Sequence, residues 1–143
     1  MDPIHILLVE DNEGDILLTT EALAEGKIVN RISVVRDGKE ALDFLEAKEP
    51  YLERELPNLV LLDVNLPRKN GHEVLQYIKE SQELKHIPVI MLTTSSSERD
   101  ILISYKNHAN CYITKPVEVD NFLDVVTSIE NFWISVVQLP LKK

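Results

Sequence analysis

A single cysteine, Cys111, is all that the 143 residues contain, so no internal disulfide can form. A lone thiol fits a reducing compartment, and a cytoplasmic location is the expectation. Glycine is scarce too: four residues are too few and too scattered for the phosphate-cradling loop of a nucleotide-binding motif. Cations are outnumbered, 15 Lys and Arg against 24 Asp and Glu, for a formal net charge of −9. Phosphate backbones are bound by clustered Lys and Arg, so this balance argues against nucleic acid as a direct ligand. It suits a protein partner or bound cations instead. No stretch approaches the roughly 18 consecutive apolar residues of a membrane span. The opening "MDPIHILLVED" has no basic leader and its apolar run is cut short by acids, unlike a signal peptide. Low-complexity tracts, repeats and linker-like stretches are missing as well. One domain over 1–143, with no output domain, is therefore expected.

What the chain does contain is a regular alternation. Hydrophobic residues make up 44% of it, ordinary for a globular domain of this length. Five short apolar runs stand out: "IHILLV" (4–9), "RISVV" (31–35), "LVLL" (59–62), "PVIML" (88–92) and "CYI" (111–113). The first, third and fourth are rich in Val, Ile and Leu and nearly continuous, the pattern of parallel strands buried on both faces. The second and fifth are weaker and are expected nearer the sheet edges. Helical patterns lie between. Residues 15–25 place Ile16, Thr19, Thr20 and Leu23 at helical spacing, with Gly26 as a stop. Asp37 and Gly38 start a segment in which Ala41, Leu42, Leu45 and later Leu52 recur. Val74, Leu75 and Ile78 mark a third helix after Gly71. A fourth is expected over 97–107, capped by Ser97, and a fifth from about 119 to 138. Such alternation predicts an α/β fold with helices on both faces of a parallel sheet.

In open sheets of this kind, ligands bind beyond the carboxyl ends of the strands, near the point where strand order reverses. Polar, chemically capable residues end four of the five runs: Glu10 and Asp11, Asp63, Thr93 and Thr94, Thr114 and Lys115. Asp11, Asp63 and Lys115 are spaced evenly by 52 residues, about two strand–helix units each. Singly, each has an ordinary reading: a turn or cap aspartate, a strand threonine, a solvated lysine. Together they make a carboxylate cluster whose like charges raise one another's pKa values unless something offsets them. A divalent cation and an ammonium are the natural partners, and Lys115 supplies the second. Hard oxygen ligands with room for water suit Mg²⁺. An aspartate beside Mg²⁺ can attack phosphorus and form an aspartyl phosphate, with a Thr hydroxyl and a Lys ammonium on the phosphoryl oxygens.

With these residues in place, the chain resembles the receiver domain of two-component response regulators over about 4–134. The matching motifs are "LLVEDN", "LVLLDVNLPRKNG", "MLTTS" and "CYITKP". The resemblance implies a doubly wound (βα)5 flavodoxin-like fold with strand order 2-1-3-4-5. It implies Asp63 as phosphoacceptor, Mg²⁺ held by Glu10, Asp11, Asp63 and the backbone carbonyl of Asn65, and phosphoryl contacts from Thr93 and Lys115. It also implies a switch through Thr93 and Tyr112, a cis Lys115–Pro116 peptide, and a histidine kinase as phosphoryl donor. Glu10 stands where many relatives have Asp, one methylene longer but still a metal ligand. Thr94 occupies a position that gates access to the phosphoryl group. "EPYLERELPN", "SYKNHANCYITKP" and "IENFWISVVQLP" further resemble the single-domain regulators that partner bacterial and cyanobacterial phytochromes.

The last helix, with an extension over about 130–143, carries more apolar residues than one core-facing stripe needs. Phe132, Trp133, Val136 and Val137 spread around its axis, which predicts a homodimer through the face of the fourth helix, fifth strand and fifth helix. An unidentified downstream protein is the expected reader of that surface. Two other readings compete. A haloacid-dehalogenase-like, Mg²⁺-dependent phosphatase also uses a strand-end Asp, but it needs a second Asp two residues on, where this chain has Asn65. A non-phosphorylated adaptor would leave the acid, Asp, Thr and Lys set without a purpose.

Overall fold

The five apolar runs become five strands: β1 (Ile4–Val9), β2 (Asn30–Val35), β3 (Leu59–Asp63), β4 (Val89–Thr93) and β5 (Cys111–Thr114). Between them lie α1 (Glu13–Glu25), α2 (Gly38–Leu45) and α3 (Gly71–Glu80). The computed structural model describes residues 4–25, 30–93, 111–115, 117, 118 and 120. The fourth and fifth helices expected from the sequence, and the 130–143 extension, lie outside the described residues. Every residue of β1, β3 and β4 is buried, as strands covered on both faces require. All four pairings are parallel and the order is β2-β1-β3-β4-β5, which puts the two weaker runs at the edges.

Side chains alternate across the sheet and build two cores. Leu7, Val9 and Leu62 meet Phe44 and Leu45 of α2 and Leu75 and Ile78 of α3. Ile6, Leu8 and Leu61 point the other way, into a core with Ile16 and Leu23 of α1. Among the described residues, helices thus cover both faces, α1 on one and α2 and α3 on the other. The strand order reverses between β1 and β3, so the chain leaves these neighbours toward opposite faces and opens a crevice at their carboxyl ends.

Local signals set the helix ends. Asn70 caps α3 and exchanges hydrogen bonds with Glu73, a complete capping box. Gly71 is required by space: a β-carbon there would sit 2.2 Å from the Asp63 carbonyl oxygen. The second helix is shorter than the recurrence of Leu52 implied. It stops at Leu45, and Ala47 takes a left-handed φ of 56°. Arg54 then donates to the carbonyls of Phe44 (2.8 Å) and Leu45 (2.6 Å), satisfying the acceptors that a finished helix leaves open. Leu52 lies in the following turn, 61% exposed, rather than on the helix. Among the described residues, no helix is long and apolar enough to cross a membrane.

Candidate functional site

The crevice is where the strand-end residues meet. Glu10 follows β1 and extends its ladder, donating its N–H to the Val35 carbonyl at 3.0 Å. That bond fixes its backbone and turns its carboxylate inward, fully buried. Asp11, one residue on, is exposed. Asn12 caps α1, its Oδ1 accepting from the Asp15 N–H at 2.8 Å, while its own N–H donates to Glu10 Oε2 at 3.3 Å. Asp63 closes β3 with its carboxylate at the strand mouth, and Oδ1 accepts from the Asn65 N–H at 3.2 Å. Oxygens of Glu10, Asp11 and Asp63 lie within 4.8 Å of one another.

From the far side, Lys115 reaches back across the strand ends. Its N–H is anchored on the Thr93 carbonyl at 2.8 Å, continuing the pairing of β4 with β5. Its ammonium Nζ lies 2.6 Å from Glu10 Oε1, 3.0 Å from Asp15 Oδ2 and 3.2 Å from Asp63 Oδ2. The contacts to Asp15 and Asp63 have hydrogen-bond geometry; the shorter approach to Glu10 is an ion contact out of line for one. Only 8% of the lysine side chain is exposed.

Burial disfavours charge on Glu10, and the adjacent Asp63 adds to the effect. Its pKa is raised to about 7 although Lys115 pulls the other way. For Lys115, burial alone would lower the pKa; the contacts with Glu10 and Asp15 outweigh it and push the pKa up. One ammonium is thus shared by three carboxylates, with Asp11 a fourth close by, so negative charge remains in excess. A divalent cation fits that excess and finds three hard oxygen donors, the set that Mg²⁺ prefers. The arrangement therefore suits a small cation beside a rigid, nearly buried aspartate at the mouth of the sheet.

The residues expected from the sequence are brought together to different extents. Glu10, Asp11, Asp63 and Lys115 converge. Thr93 is buried at the end of β4, next in line to the residue that pairs with Asp63. Asn65 is exposed and tied to Asp63 through its N–H, and no second acid stands at its position. Thr94, Pro116, the Tyr112 side chain, Phe132, Trp133, Val136 and Val137 lie outside the described residues. The sequence reading passed over Asp15, which shares Lys115 with Glu10 and Asp63. Its only signal was an acid in the first turn of a helix, for which the helix dipole is reason enough.

The response regulator receiver domain model matches residues 6–127. The chain is 45% identical to the response regulator Rcp1 of Synechocystis sp. over 138 residues, 96% of this chain and 94% of that one. It is similar to the crystal structure of the phosphorylated cyanobacterial phytochrome response regulator RcpA. That match has a TM-score of 0.79 and 46% identity, and covers 94% of this chain and 96% of the other. The Mn²⁺-bound form of Rcp1 matches with a TM-score of 0.77 and 44% identity, again covering 94% and 96%.

Proposed function

Because the chain belongs to the response regulator receiver domain family, we propose that it is a phosphoacceptor of a phosphorelay, taking a phosphoryl group from a histidine kinase on Asp63. One observation carries the reading: the Lys115 ammonium bridges Asp63 to Glu10 at the mouth of the sheet, beside a three-carboxylate cluster of cation-binding size. Glu10, Asp11 and Asp63, with the Asn65 carbonyl, would hold Mg²⁺, which neutralises phosphoryl charge when bound. The chain's own residues do the rest. An Asp63 carboxylate oxygen bonds to phosphorus as the N–P bond of the donor imidazole breaks. Rigid anchorage of β3 in both cores keeps that oxygen in place, and burial excludes all but a small opening to solvent. Lys115 and the Thr93 hydroxyl take up the phosphoryl oxygens, which bring roughly −1.5 to −2 of charge to the site.

That charge is local, and its readout is a protein surface. Thr93 moves toward the new oxygens, Tyr112 follows, and the face of the fourth helix, fifth strand and fifth helix changes shape. A homodimer through this face, with Phe132, Trp133, Val136 and Val137 in the interface, and a downstream protein complete the scheme. The likeness to Rcp1 and RcpA supports a phytochrome-type kinase as the donor. Incubation with Mg²⁺ and acetyl phosphate, followed by intact mass, tests the core of it. One phosphoryl group should be added to the wild type and none to Asp63→Asn; no addition to either rejects the reading.

A further inference from the structure

We propose that Asp15 is a positioning residue, holding the Lys115 ammonium when Glu10 and Asp63 are taken up by a divalent cation. This rests on the metal reading above and adds to it a residue outside the ligand set. Four carboxylate oxygens of the cluster already have contacts. Both of Glu10 are engaged, Oε1 with Lys115 and Oε2 with the Asn12 N–H. So are both of Asp63, Oδ1 with the Asn65 N–H and Oδ2 with Lys115. A cation entering the cluster of Glu10, Asp11 and Asp63 must displace or share one of these partners. Two are backbone N–H groups held by the fold. Lys115 is the movable one, and like charge drives it from the incoming cation. Its remaining acceptor is Asp15, at 3.0 Å and outside the cluster.

The ordinary role of an acid at this place is to close a capping box on the residue at the helix N-cap. Here that role is refused. The Asn12 N–H goes to Glu10 Oε2 instead, and the Asp15 carboxylate turns to the lysine. The Asp15 backbone is fixed by its bond to Asn12 Oδ1 at 2.8 Å, so the carboxylate is presented from a rigid first turn. Without it, Lys115 would fall back on Glu10 and Asp63, the same oxygens the cation needs. Loss of Asp15 should therefore weaken cation binding through the lysine, not merely through lost charge.

A double-mutant cycle on the full chain separates the two, with Mn²⁺ as the probe and free Mn²⁺ followed by electron paramagnetic resonance. Asp15→Asn should bind Mn²⁺ about three- to fivefold more weakly than wild type, the scale of a partly exposed ion pair. Lys115→Ala should bind it more tightly. Adding Asp15→Asn to Lys115→Ala should then change the affinity less than about twofold. Asp15→Glu, which keeps the charge and the reach, should stay near wild type. Asp15→Ser carries the same expectation as Asp15→Asn and stands in for it if that variant does not fold. An equal loss with and without Lys115 would make Asp15 a remote charge and overturn the proposal, as would no loss at all. Absence of Mn²⁺ binding in the wild type would overturn the metal reading and this inference with it.

Discussion

Glu10 makes the cation-free protein less stable as pH rises, which is the reverse of the usual behaviour of a carboxylate at a salt bridge. In the unfolded chain it loses its proton near 4.5, the ordinary value for a glutamate, whereas in the fold it keeps it to about 7. Between those values the native state binds more protons than the unfolded one, so the free energy of unfolding falls as pH climbs. A shift of this size corresponds to about 3 kcal/mol as an upper bound, and coupling to Asp63 and Lys115 lowers what Glu10 alone contributes. For a chain of this length, a loss of about 2–3 kcal/mol lowers Tm by roughly 6–10 °C. His5 acts in the opposite sense. Burial lowers its pKa from 6.5, so the unfolded chain binds more protons near that pH and stability rises through it. Comparing wild type with Glu10→Gln cancels that contribution. In EDTA, wild-type Tm should fall between pH 5 and pH 8 relative to Glu10→Gln. Saturating Mg²⁺ should reverse the trend, because the cation favours the ionised carboxylate. Parallel pH profiles for the two proteins in EDTA would refute the reasoning.

Three other substitutions probe different links. Gly71→Ala drives a methyl group into the Asp63 carbonyl, 2.2 Å away. It should cost about 3 kcal/mol in denaturant unfolding and lower phosphorylation by acetyl phosphate, since α3 cannot yield without moving Asp63. Arg54→Ala removes the charged donor from two helix-end carbonyls. A loss of about 1–2 kcal/mol is expected in thermal melts, with Mn²⁺ affinity unchanged because the site is at the other end of α2. Thr93→Ala should still accept a phosphoryl group on Asp63, yet phosphorylation should alter partner binding less than in wild type; an undiminished effect in a pull-down would reject the switch.

Much of this site could be read from the sequence because of what parallel strands demand. A strand buried on both faces must be apolar along its length, so its end shows as an abrupt step to polar residues. Glu10, Asp63 and Thr93 each mark such a step, and all three are buried at the crevice. The edge strands blur the signal: β2 contains Asn30, Arg31 and Ser33, and its run was correspondingly weak. Leu52 misled for a different reason. Its spacing continued a helical period across Ala47, whose positive φ nothing in that residue's chemistry foretells, although Pro50 nearby marked a break.

Asp15 was hidden by having too good an excuse. An acid in a helix's first turn is stabilised by the dipole alone, so the sequence offered no residual charge to explain. Only the crossing of the Lys115 side chain to α1, 100 residues away along the chain, shows what the carboxylate faces. Strand-end residues are gathered by the sheet itself, which a sequence announces through its apolar runs. A residue on the helix that follows joins them only if a long side chain crosses the crevice, and its direction depends on packing. Lys115 is such a side chain: nearly buried, with its ammonium against three carboxylates, it ties the first turn of α1 to the ends of β1 and β3. Any cation or phosphoryl group arriving at Asp63 must therefore redistribute a contact shared with α1. On the proposed reading, this helix turn positions the lysine for whatever arrives.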